Sequence, residues 1–218
     1  GDKGDKGDDV RSKALESFVR IGLDVGPDGH AVARSLSVEE EDVRSRALET
    51  LAELGSDVVA LHAGAVAGCL SDAAKHVRKQ ALEVFAQLDP ETAKPHAGAI
   101  AQALDDRDWY TCSKALRILG RLDPETVKPA AEAVARHLGA DEGDVRGEAL
   151  KTLANLGLEV ARQHAEPISK CLRDRAANVR RQALEAFGRL GPEFAEAHAG
   201  AIAELLEDDE ADVCSRAL

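Results

Sequence analysis

The chain has 218 residues, of which 44% are hydrophobic and 31% charged, and its formal net charge is −12. It has no run of about 18 apolar residues, so we expect no membrane-spanning helix, and the negative charge disfavours nucleic acid and anionic membranes as partners. Aromatic residues make up only 3%, and a composition dominated by Ala and Leu suits closely packed helices better than a sheet.

The first eight residues, GDKGDKGD, place glycine at every third position. A stretch this short without proline cannot form a collagen triple helix. We therefore expect residues 1–8 to be a flexible leader and residues 9–218 to form a single repeat domain. That domain begins with an unpaired helix near Asp9 and stops inside a seventh repeat near Asp212, which predicts a fragment of a longer array.

An internal repeat runs through the rest of the chain. Ala-Leu pairs recur with a spacing of 33 residues once and 34 residues thereafter. The leucines of these pairs are Leu15, Leu48, Leu82, Leu116, Leu150, Leu184 and Leu218. A fixed period of about 20–50 residues is the signature of a solenoid or a similar array. We number the repeats so that Leu48 belongs to repeat 2 and Leu82 to repeat 3.

Each repeat contains two segments whose apolar residues are spaced three or four apart, which is the spacing of an amphipathic helix. We call them the first and the second helix of the repeat. The stripe on the second helix of repeat 2 consists of Val43, Ala47, Leu48, Leu51 and Leu54. Neither helix can bury its stripe alone, so we expect neighbouring helical hairpins to stack into a continuous core.

Glycines and prolines mark the predicted helix ends. A glycine follows the last leucine of several second helices, where a residue with left-handed backbone geometry is expected. These glycines are Gly55, Gly120, Gly157 and Gly191. The sequences Asp89–Glu91 and Asp123–Glu125 each supply an N-cap aspartate, a proline and an acidic residue for the first helix that follows. Pro95 and Pro129 should kink or reset that helix.

Two further residues recur with the same period. An aspartate lies in the turn between the helices, at Asp72, Asp106, Asp174 and Asp208. An arginine follows the residue that opens the second helix, at Arg11, Arg44, Arg78, Arg146 and Arg180.

With these residues the unit resembles HEAT repeats, and more closely the short HEAT-like variety, over almost the whole chain. The resemblance implies an all-α, right-handed α-solenoid of about six stacked helical hairpins, a HEAT-like or armadillo-like superhelix. It also implies that the aspartates and arginines form a ladder of hydrogen bonds and ion pairs between successive repeats. It leaves the function open, because a solenoid is a surface on which different sites are built.

Repeat 4 departs from the pattern. Tyr110, Thr111 and Cys112 occupy positions where its neighbours carry Asp, Val and Arg, and Cys214 takes the arginine position in repeat 7. We expect the ladder to be interrupted there. Trp109 and Tyr110 are the only Trp and Tyr of the chain. They either plug the gap left by the missing ladder residues or anchor a partner.

We expect no metal or cofactor. His62, His96, His164 and His198 share one repeat position. Neighbouring repeats stack about 8–10 Å apart, whereas zinc needs its ligand nitrogens about 2 Å from one centre. One histidine in a repeat is therefore too sparse for a shared zinc ion, and local packing is the expected role.

No enzyme is expected either. Among HEAT-like proteins, the di-iron deoxyhypusine hydroxylases carry His-Glu dyads, but all seven histidines here are followed by Ala, Val or Leu. Bilin lyases share similar short repeats, and no separate catalytic signature of theirs is present to carry over. The four cysteines are scattered without a CxxC pair, which indicates reduced thiols in an intracellular, cytoplasmic protein.

Charge divides between two parts of each repeat. Acidic residues such as Asp141, Glu142 and Asp144 collect in the turns and would form an acidic ridge along one edge. Basic residues collect on the second helices, the row that lines the concave face in HEAT-like solenoids. Two interpretations remain open for that row: a solvated, salt-bridged surface, or a partly basic groove for an acidic partner.

The predicted function is a non-enzymatic scaffold that binds a protein or peptide along the second-helix row. Positions 46, 80, 114, 148 and 182 are equivalent in the repeat yet differ chemically, while core positions hardly vary. The predicted partner-binding residues are Arg46, Lys79, Gln80, Trp109, Tyr110, Lys114, Arg117, Glu148, Arg181 and Gln182. The alternatives are a nucleic-acid-binding solenoid, which the net charge disfavours, and a HEAT-like bilin lyase.

Overall fold

The structure, a computed structural model, describes residues 25–218, with side chains from residue 29 onward. The expected leader at 1–8 and the helix near Asp9 lie outside these residues. All regular structure between residues 25 and 218 is helical. These residues belong to two compact units, one ending at Ala103 and the other spanning Leu104–Leu218, and each consists of stacked repeats. Among the described helices, none has the length and apolarity to cross a membrane.

The second helices form where the sequence predicts them. In repeats 2 to 7 they span Glu41–Leu54, Lys75–Gln87, Trp109–Leu119, Gly143–Asn155, Ala177–Leu190 and Ala211–Ala217. Their stripes are buried, with Leu48, Leu82 and Leu150 completely inaccessible to solvent. The second helix of repeat 2 packs against that of repeat 3, and in the other unit those of repeats 4 to 7 pack in chain order. The core of each unit therefore runs along its second helices.

In repeats 3 to 7 the first helix is broken into short pieces, whereas in repeat 2 the helix Val25–Arg34 is continuous. In repeat 3, Ser56–Leu61 is followed by Ala63–Gly68 and a 3-10 turn at Cys69–Ser71, with His62 at the break. The corresponding helices of repeat 2 are Val25–Arg34 and Ser35–Ser37. Repeats 4 and 5 each have four pieces: Pro90–Ala93, Lys94–His96, Ala97–Gln102 and Ala103–Asp105 in repeat 4, and Pro124–Val127, Lys128–Ala130, Ala131–Arg136 and His137–Gly139 in repeat 5. Repeats 6 and 7 each have three: Leu158–Gln163, Ala165–Lys170 and Cys171–Arg173 in repeat 6, and Pro192–Glu196, Ala199–Glu204 and Leu205–Glu207 in repeat 7.

Proline explains this break only in part. Pro95 and Pro129 lie in the 3-10 turns where repeats 4 and 5 reset, as predicted. The chain breaks at the same repeat position at His62 and His198, with backbone φ of −116° and −124°, where no proline adjoins. A break at this position therefore does not require an adjoining proline, and the prolines of repeats 4 and 5 reinforce it.

Helix ends follow the sequence signals, with one exception. Gly55, Gly157 and Gly191 have φ of 102°, 93° and 90°, so three of the predicted glycine terminators adopt the backbone geometry that favours glycine. Gly120 does not: its φ is −64°, and the prediction is wrong there. A Cβ at Gly120 would lie 2.9 Å from Oγ1 of Thr152, so glycine is needed at this position for close approach.

Both Asp-Pro-Glu sequences cap the helices that follow them. Asp89 accepts hydrogen bonds from the backbone N–H and the hydroxyl of Thr92, at 2.9 and 2.6 Å. Asp123 accepts the same pair of bonds from Thr126, at 3.1 and 2.6 Å. The N-cap prediction is confirmed at both sites.

Replacing a core leucine tests the stacking of the second helices. We expect Leu150→Ala to lower the free energy of unfolding by about 2–5 kcal/mol, because it leaves a cavity among fully buried neighbours. Leu206→Ala is the matched control, since Leu206 is 44% exposed and surface truncations change stability by about 0.5 kcal/mol or less. Urea unfolding measures both variants, and equal losses would contradict the assigned core.

Candidate partner-binding surface

The ladder predicted from the sequence is present, and Arg146 shows its geometry. Nη1 of Arg146 donates to the carbonyl oxygens of Ala140 and Asp141, in the turn of its own repeat, at 2.8 and 2.7 Å. Nε and Nη2 donate to the two carboxylate oxygens of Asp174, in the turn of the next repeat, each at 2.6 Å. Oδ1 of Asp174 also accepts from the backbone N–H of Ala176 at 2.8 Å. We call this arginine–aspartate pair a rung.

Two other rungs repeat this arrangement. Nε of Arg44 donates to Asp72 and Nε of Arg180 donates to Asp208, both at 2.6 Å. Arg44 and Arg180 also bond backbone carbonyls of their own turns. The adjoining guanidinium keeps the pKa of Asp72 below its usual range and lowers the pKa of Asp208 to about 2. These charges are therefore engaged between repeats, and Arg44 and Arg180 contribute little to a basic groove.

The ladder is interrupted between repeats 4 and 5, as predicted. Sγ of Cys112, which stands in the arginine position, donates to the carbonyl oxygens of Asp106 and Leu104 at 3.1 and 3.4 Å. The thiol thus takes over a carbonyl contact within its own turn, but it is too short to reach the next repeat. Ala140 occupies the aspartate position of repeat 5. Both members of the rung are therefore replaced together. The missing aspartate was visible as a gap in the period after Asp106, but the sequence reasoning did not use it.

A cleft of about 330 Å³ opens where this rung is absent. Its lining includes Trp109, Cys112, His137, Ala140, Asp141 and Glu142. Trp109 remains 48% exposed and meets the ring of Tyr110 edge-on, with ring centroids 5.9 Å apart. Nζ of Lys114 lies 5.1 Å from the centroid of the Tyr110 ring. Of the aromatic pair, Trp109 lines the cleft without filling it.

Other contacts join repeats 4 and 5 at the opposite end of their second helices. The hydroxyl of Thr152 lies 3.0 Å from the carbonyl oxygen of Leu116 and 2.8 Å from that of Glu148 on its own helix, so the two acceptors share its single proton. The amide of Asn155 donates to the carbonyl oxygen of Gly120 at 2.9 Å. Thr152 is buried, and the absence of a side chain at Gly120 allows its approach. Nothing in the sequence alone signalled these two contacts.

In the first unit, three predicted partner-binding residues lie on adjacent second helices. Arg46 is half-buried and pairs with Glu49 on the same helix at 3.0 Å. Lys79 and Gln80 are half-buried on the second helix of repeat 3. The structure thus brings these three positions to one surface of the unit, and their partner-binding role stays a prediction.

The second unit carries the other predicted residues. Lys114 and Arg117 share one helix with Trp109 and Tyr110. Glu148 pairs with Lys151 at 3.2 Å, and Arg181 pairs with Glu185 at 2.9 Å. Such pairs along the second helices support the salt-bridged interpretation of this row over a uniformly basic groove.

Among the predicted partner-binding residues, Gln182 has a buried side-chain oxygen, Oε1, that lacks a hydrogen bond to the described residues. The side chain packs into the space above Gly147 on the neighbouring second helix, where any Cβ would collide with it. This amide is packed between two repeats rather than displayed for a partner.

The histidines of the shared repeat position pack locally, as expected. His62 meets His30 edge-on at 4.6 Å, and His96 meets Phe85 at 5.5 Å. Nδ1 of His198 lies 2.9 Å from the carbonyl oxygen of Phe194, which can only accept a hydrogen bond. Another histidine, which the sequence reasoning did not single out, joins a possible cation site: Glu41, Asp42 and His76 bring three ligand atoms within 4.8 Å of one another. All three are exposed.

All four cysteines are free thiols, and the three buried ones are poorly suited to nucleophilic chemistry. Burial raises the pKa of Cys69 and of Cys112 to about 11, and that of Cys171 to about 12. The thiolate is the reactive form, and at neutral pH it is scarce in groups with such pKa values. These three side chains act as small buried residues.

Comparison with known proteins identifies the fold. Nothing among protein-family models or curated proteins matches the chain. An engineered protein from a structural genomics consortium is similar with a TM-score of 0.70, 19% identity, and coverage of 87% of this chain and 93% of that one. A designed armadillo repeat protein in complex with the peptide (KR)4 is similar with a TM-score of 0.71, 18% identity, and coverage of 86% of this chain and 95% of that one. A structure of computationally designed armadillo repeat proteins for modular peptide recognition is similar with a TM-score of 0.68, 18% identity, and coverage of 86% of this chain and 95% of that one.

The chain is therefore an all-α solenoid of helical repeats, and the predicted fold class is confirmed. The structural neighbours are armadillo and engineered repeats. The narrower HEAT-like assignment is not distinguished by them and stays a prediction.

A buried and an exposed ion pair between repeats should differ in their effect on stability. Arg146→Met should cost about 3 kcal/mol, because it leaves the carboxylate of Asp174 largely buried without its partner. Arg173→Met removes a pair of similar geometry with Glu204, at 2.7 and 2.8 Å, in which both side chains are more than half exposed. Arg173→Met should therefore lower the free energy of unfolding much less than Arg146→Met does. Urea unfolding distinguishes them, and equal losses would contradict a structural role for the buried rung.

The rungs also predict how stability depends on acid. The pKa of Asp208 falls from an ordinary 3.8 to about 2 in the folded chain, mainly through hydrogen bonds from Arg180. A carboxyl group with a lowered folded pKa contributes stability that is complete above its unfolded pKa and is lost as pH falls through the folded value. We therefore expect unfolding free energy to fall between about pH 4 and pH 2, and to fall less steeply in Arg180→Met.

The control for this measurement is Arg189→Met. Nη1 of Arg189 donates to the neutral amide oxygen of Asn155 at 2.8 Å. Its loss should leave the acid slope unchanged. A slope in Arg180→Met as steep as in the wild type would show that this rung does not set the titration.

Proposed function

We propose that the chain is a non-enzymatic scaffold that binds a protein or peptide along the surface of its second helices. One contrast carries the proposal. Positions 46, 80, 114 and 148 carry Arg, Gln, Lys and Glu, and all four are half-buried at the helix surface, whereas Gln182 at the equivalent position of repeat 6 is packed against Gly147. The next residue in each repeat is alanine, at Ala47, Ala81, Ala115, Ala149 and Ala183, with no exposed surface. The framework stays constant while its outward face changes from repeat to repeat.

Clefts between the second helices support binding at this surface. Arg181, Asp212, Ser215 and Arg216 line a cleft of about 550 Å³ on the second helices of repeats 6 and 7. Nη1 of Arg181 and Nη2 of Arg216 both pair with Glu185, at 2.9 and 3.0 Å. Charged groups held in place by neighbours favour a specific partner by selecting complementary charges.

The structural neighbours agree with this type of function. One designed armadillo repeat protein is in complex with the peptide (KR)4, and another set was designed for modular peptide recognition. Likeness of fold alone does not transfer a partner. The proposal includes the HEAT-like assignment, which the arginine–aspartate rungs support.

Charge reversal on the second helices tests the proposal. A variant with Arg46→Glu, Lys114→Glu and Arg181→Glu should lose the proteins that the wild type retains from a lysate of the source cells. Reversing the charge at the binding surface places like charges opposite one another. Retained proteins are quantified by mass spectrometry, and each candidate is then titrated in purified form against both chains.

The matched control reverses three exposed basic residues on the first helices, with Arg34→Glu, Arg136→Glu and Lys170→Glu. Its net charge equals that of the test variant, so a nonspecific charge effect would weaken both equally. Thermal unfolding confirms that both variants fold. Partners retained by the wild type and the control but lost by the test variant support the proposal. If all three chains retain the same partners, binding does not use the second-helix surface.

A further inference from the structure

The cleft between repeats 4 and 5 lies where other repeats hold an arginine side chain. At the rungs of Arg44, Arg146 and Arg180, a guanidinium lies between the turn of one repeat and the turn of the next. Each occurs near the beginning of a second helix, where the helix dipole disfavours a cation. The neighbouring carboxylate and carbonyl oxygens outweigh that effect. The repeat framework is thus suited to a guanidinium at this place.

Losing both rung members has a different consequence from losing one. With an aspartate at position 140, Cys112 would leave a carboxylate without its cation, a costly arrangement in a largely buried site. With alanine there, no charge is stranded, and a cleft of about 330 Å³ remains. Ligand clefts span about 300–1,000 Å³, so this one lies at the small end of that range and has room for a side chain.

The groups around this cleft favour a cation. Asp141 and Glu142 are exposed, and no ion pair of either carboxylate occurs among the described residues. Backbone carbonyls of the two turns are already engaged, that of Asp106 by Cys112 and that of Asp141 by Arg146. The carboxylates are therefore the acceptors left for a ligand, and the half-exposed ring of Trp109 offers a face for stacking.

Two other lining groups do not reverse this balance. Arg107 carries one positive charge against the carboxylates of Asp141 and Glu142. The guanidinium of Arg175 also approaches this turn, but it donates to the backbone carbonyl oxygen of Asp141 and not to the carboxylate. Nδ1 of His137 lies 2.9 Å from the carbonyl oxygen of Ala133, which can only accept, so that nitrogen carries the proton and is occupied. The lining of the cleft therefore includes two exposed carboxylates, the ring of Trp109 and the thiol of Cys112.

We propose that this cleft binds an arginine side chain of a partner peptide, which occupies the place of the missing rung. The guanidinium pairs with Asp141 and Glu142 and stacks on Trp109. Arginine fits better than lysine because its planar, multiply donating group can bond two carboxylates while its face lies on an indole ring. This inference rests on the proposed function, and it adds a partner chemistry and a specific position.

Trp109 makes the inference directly measurable, because it is the only tryptophan of the chain. The probe is the capped pentapeptide Gly-Ala-Arg-Ala-Gly, titrated at low ionic strength while tryptophan fluorescence is recorded. The matched ligand replaces arginine by citrulline, which has nearly the same shape but no charge. We expect saturable fluorescence change with arginine, and binding at least about tenfold weaker with citrulline, since charge-assisted hydrogen bonds are lost.

Two variants test the site from opposite directions. Asp141→Asn with Glu142→Gln removes the acceptors, and should weaken the arginine peptide at least about tenfold. Cys112→Arg with Ala140→Asp rebuilds the rung inside the chain, and should abolish the response while raising the melting temperature. Glu159→Gln with Glu196→Gln is the charge-matched control at exposed residues of the same unit, and should respond as the wild type does.

The outcomes separate this inference from the proposed function. The variant reversing Arg46, Lys114 and Arg181 should keep its fluorescence response even where it loses partners, because none of these three residues lines the cleft. Equal responses to arginine and citrulline, no response at all, or a response that survives both cleft variants would each overturn the inference. None of these results bears on whether the second-helix surface binds a partner.

Discussion

Each rung of the ladder places one arginine between two turns. In the rung of Arg146, carbonyl oxygens of its own turn and the carboxylate of Asp174 take up all three guanidinium nitrogens. A charge pair this well buried is tolerable only when its partners are in place. The arginine therefore fixes the turn of its own repeat and the register of the next repeat at once. Apolar stripes supply the general attraction between helices, but they would tolerate a shift that the rung does not.

Much of the fold could be predicted because the same sequence pattern recurs in successive repeats. A single helix such as Lys75–Gln87 carries an ordinary amphipathic pattern, but its recurrence every 34 residues assigns helix pairs, turns and core together. The recurrence also located the aspartates and arginines, and the resemblance to HEAT-like repeats implied that they form a ladder. Their spacing of 28 residues between Arg44 and Asp72, and between Arg180 and Asp208, is a consequence of the period.

The features that escaped prediction depend on distances between repeats rather than on the period. The close approach at Gly120 involves Thr152, 32 positions later, whose hydroxyl lies 2.9 Å from where a Cβ of residue 120 would be. Periodicity suggested a helix terminator there, since it aligned Gly120 with Gly55. The break in the first helix was predicted only where proline marks it. The cleft could not be predicted from Cys112 alone, because its volume arises from what Ala140 lacks on the facing turn.

Repeat 4 shows how a solenoid can specialise one interface without losing its fold. Stability in such arrays is approximately a sum of repeat terms and nearest-neighbour interface terms, so one weaker interface lowers the total by its own amount. Between repeats 4 and 5 the turn side has lost a rung, while Thr152 and Asn155 bond the carbonyls of Leu116 and Gly120 at the other end of the helices. The two second helices thus remain joined where a partner is not needed, and the space is left open on the side where Trp109 is exposed. An interface built this way retains its register through one end and leaves space at the other for the arginine that we propose.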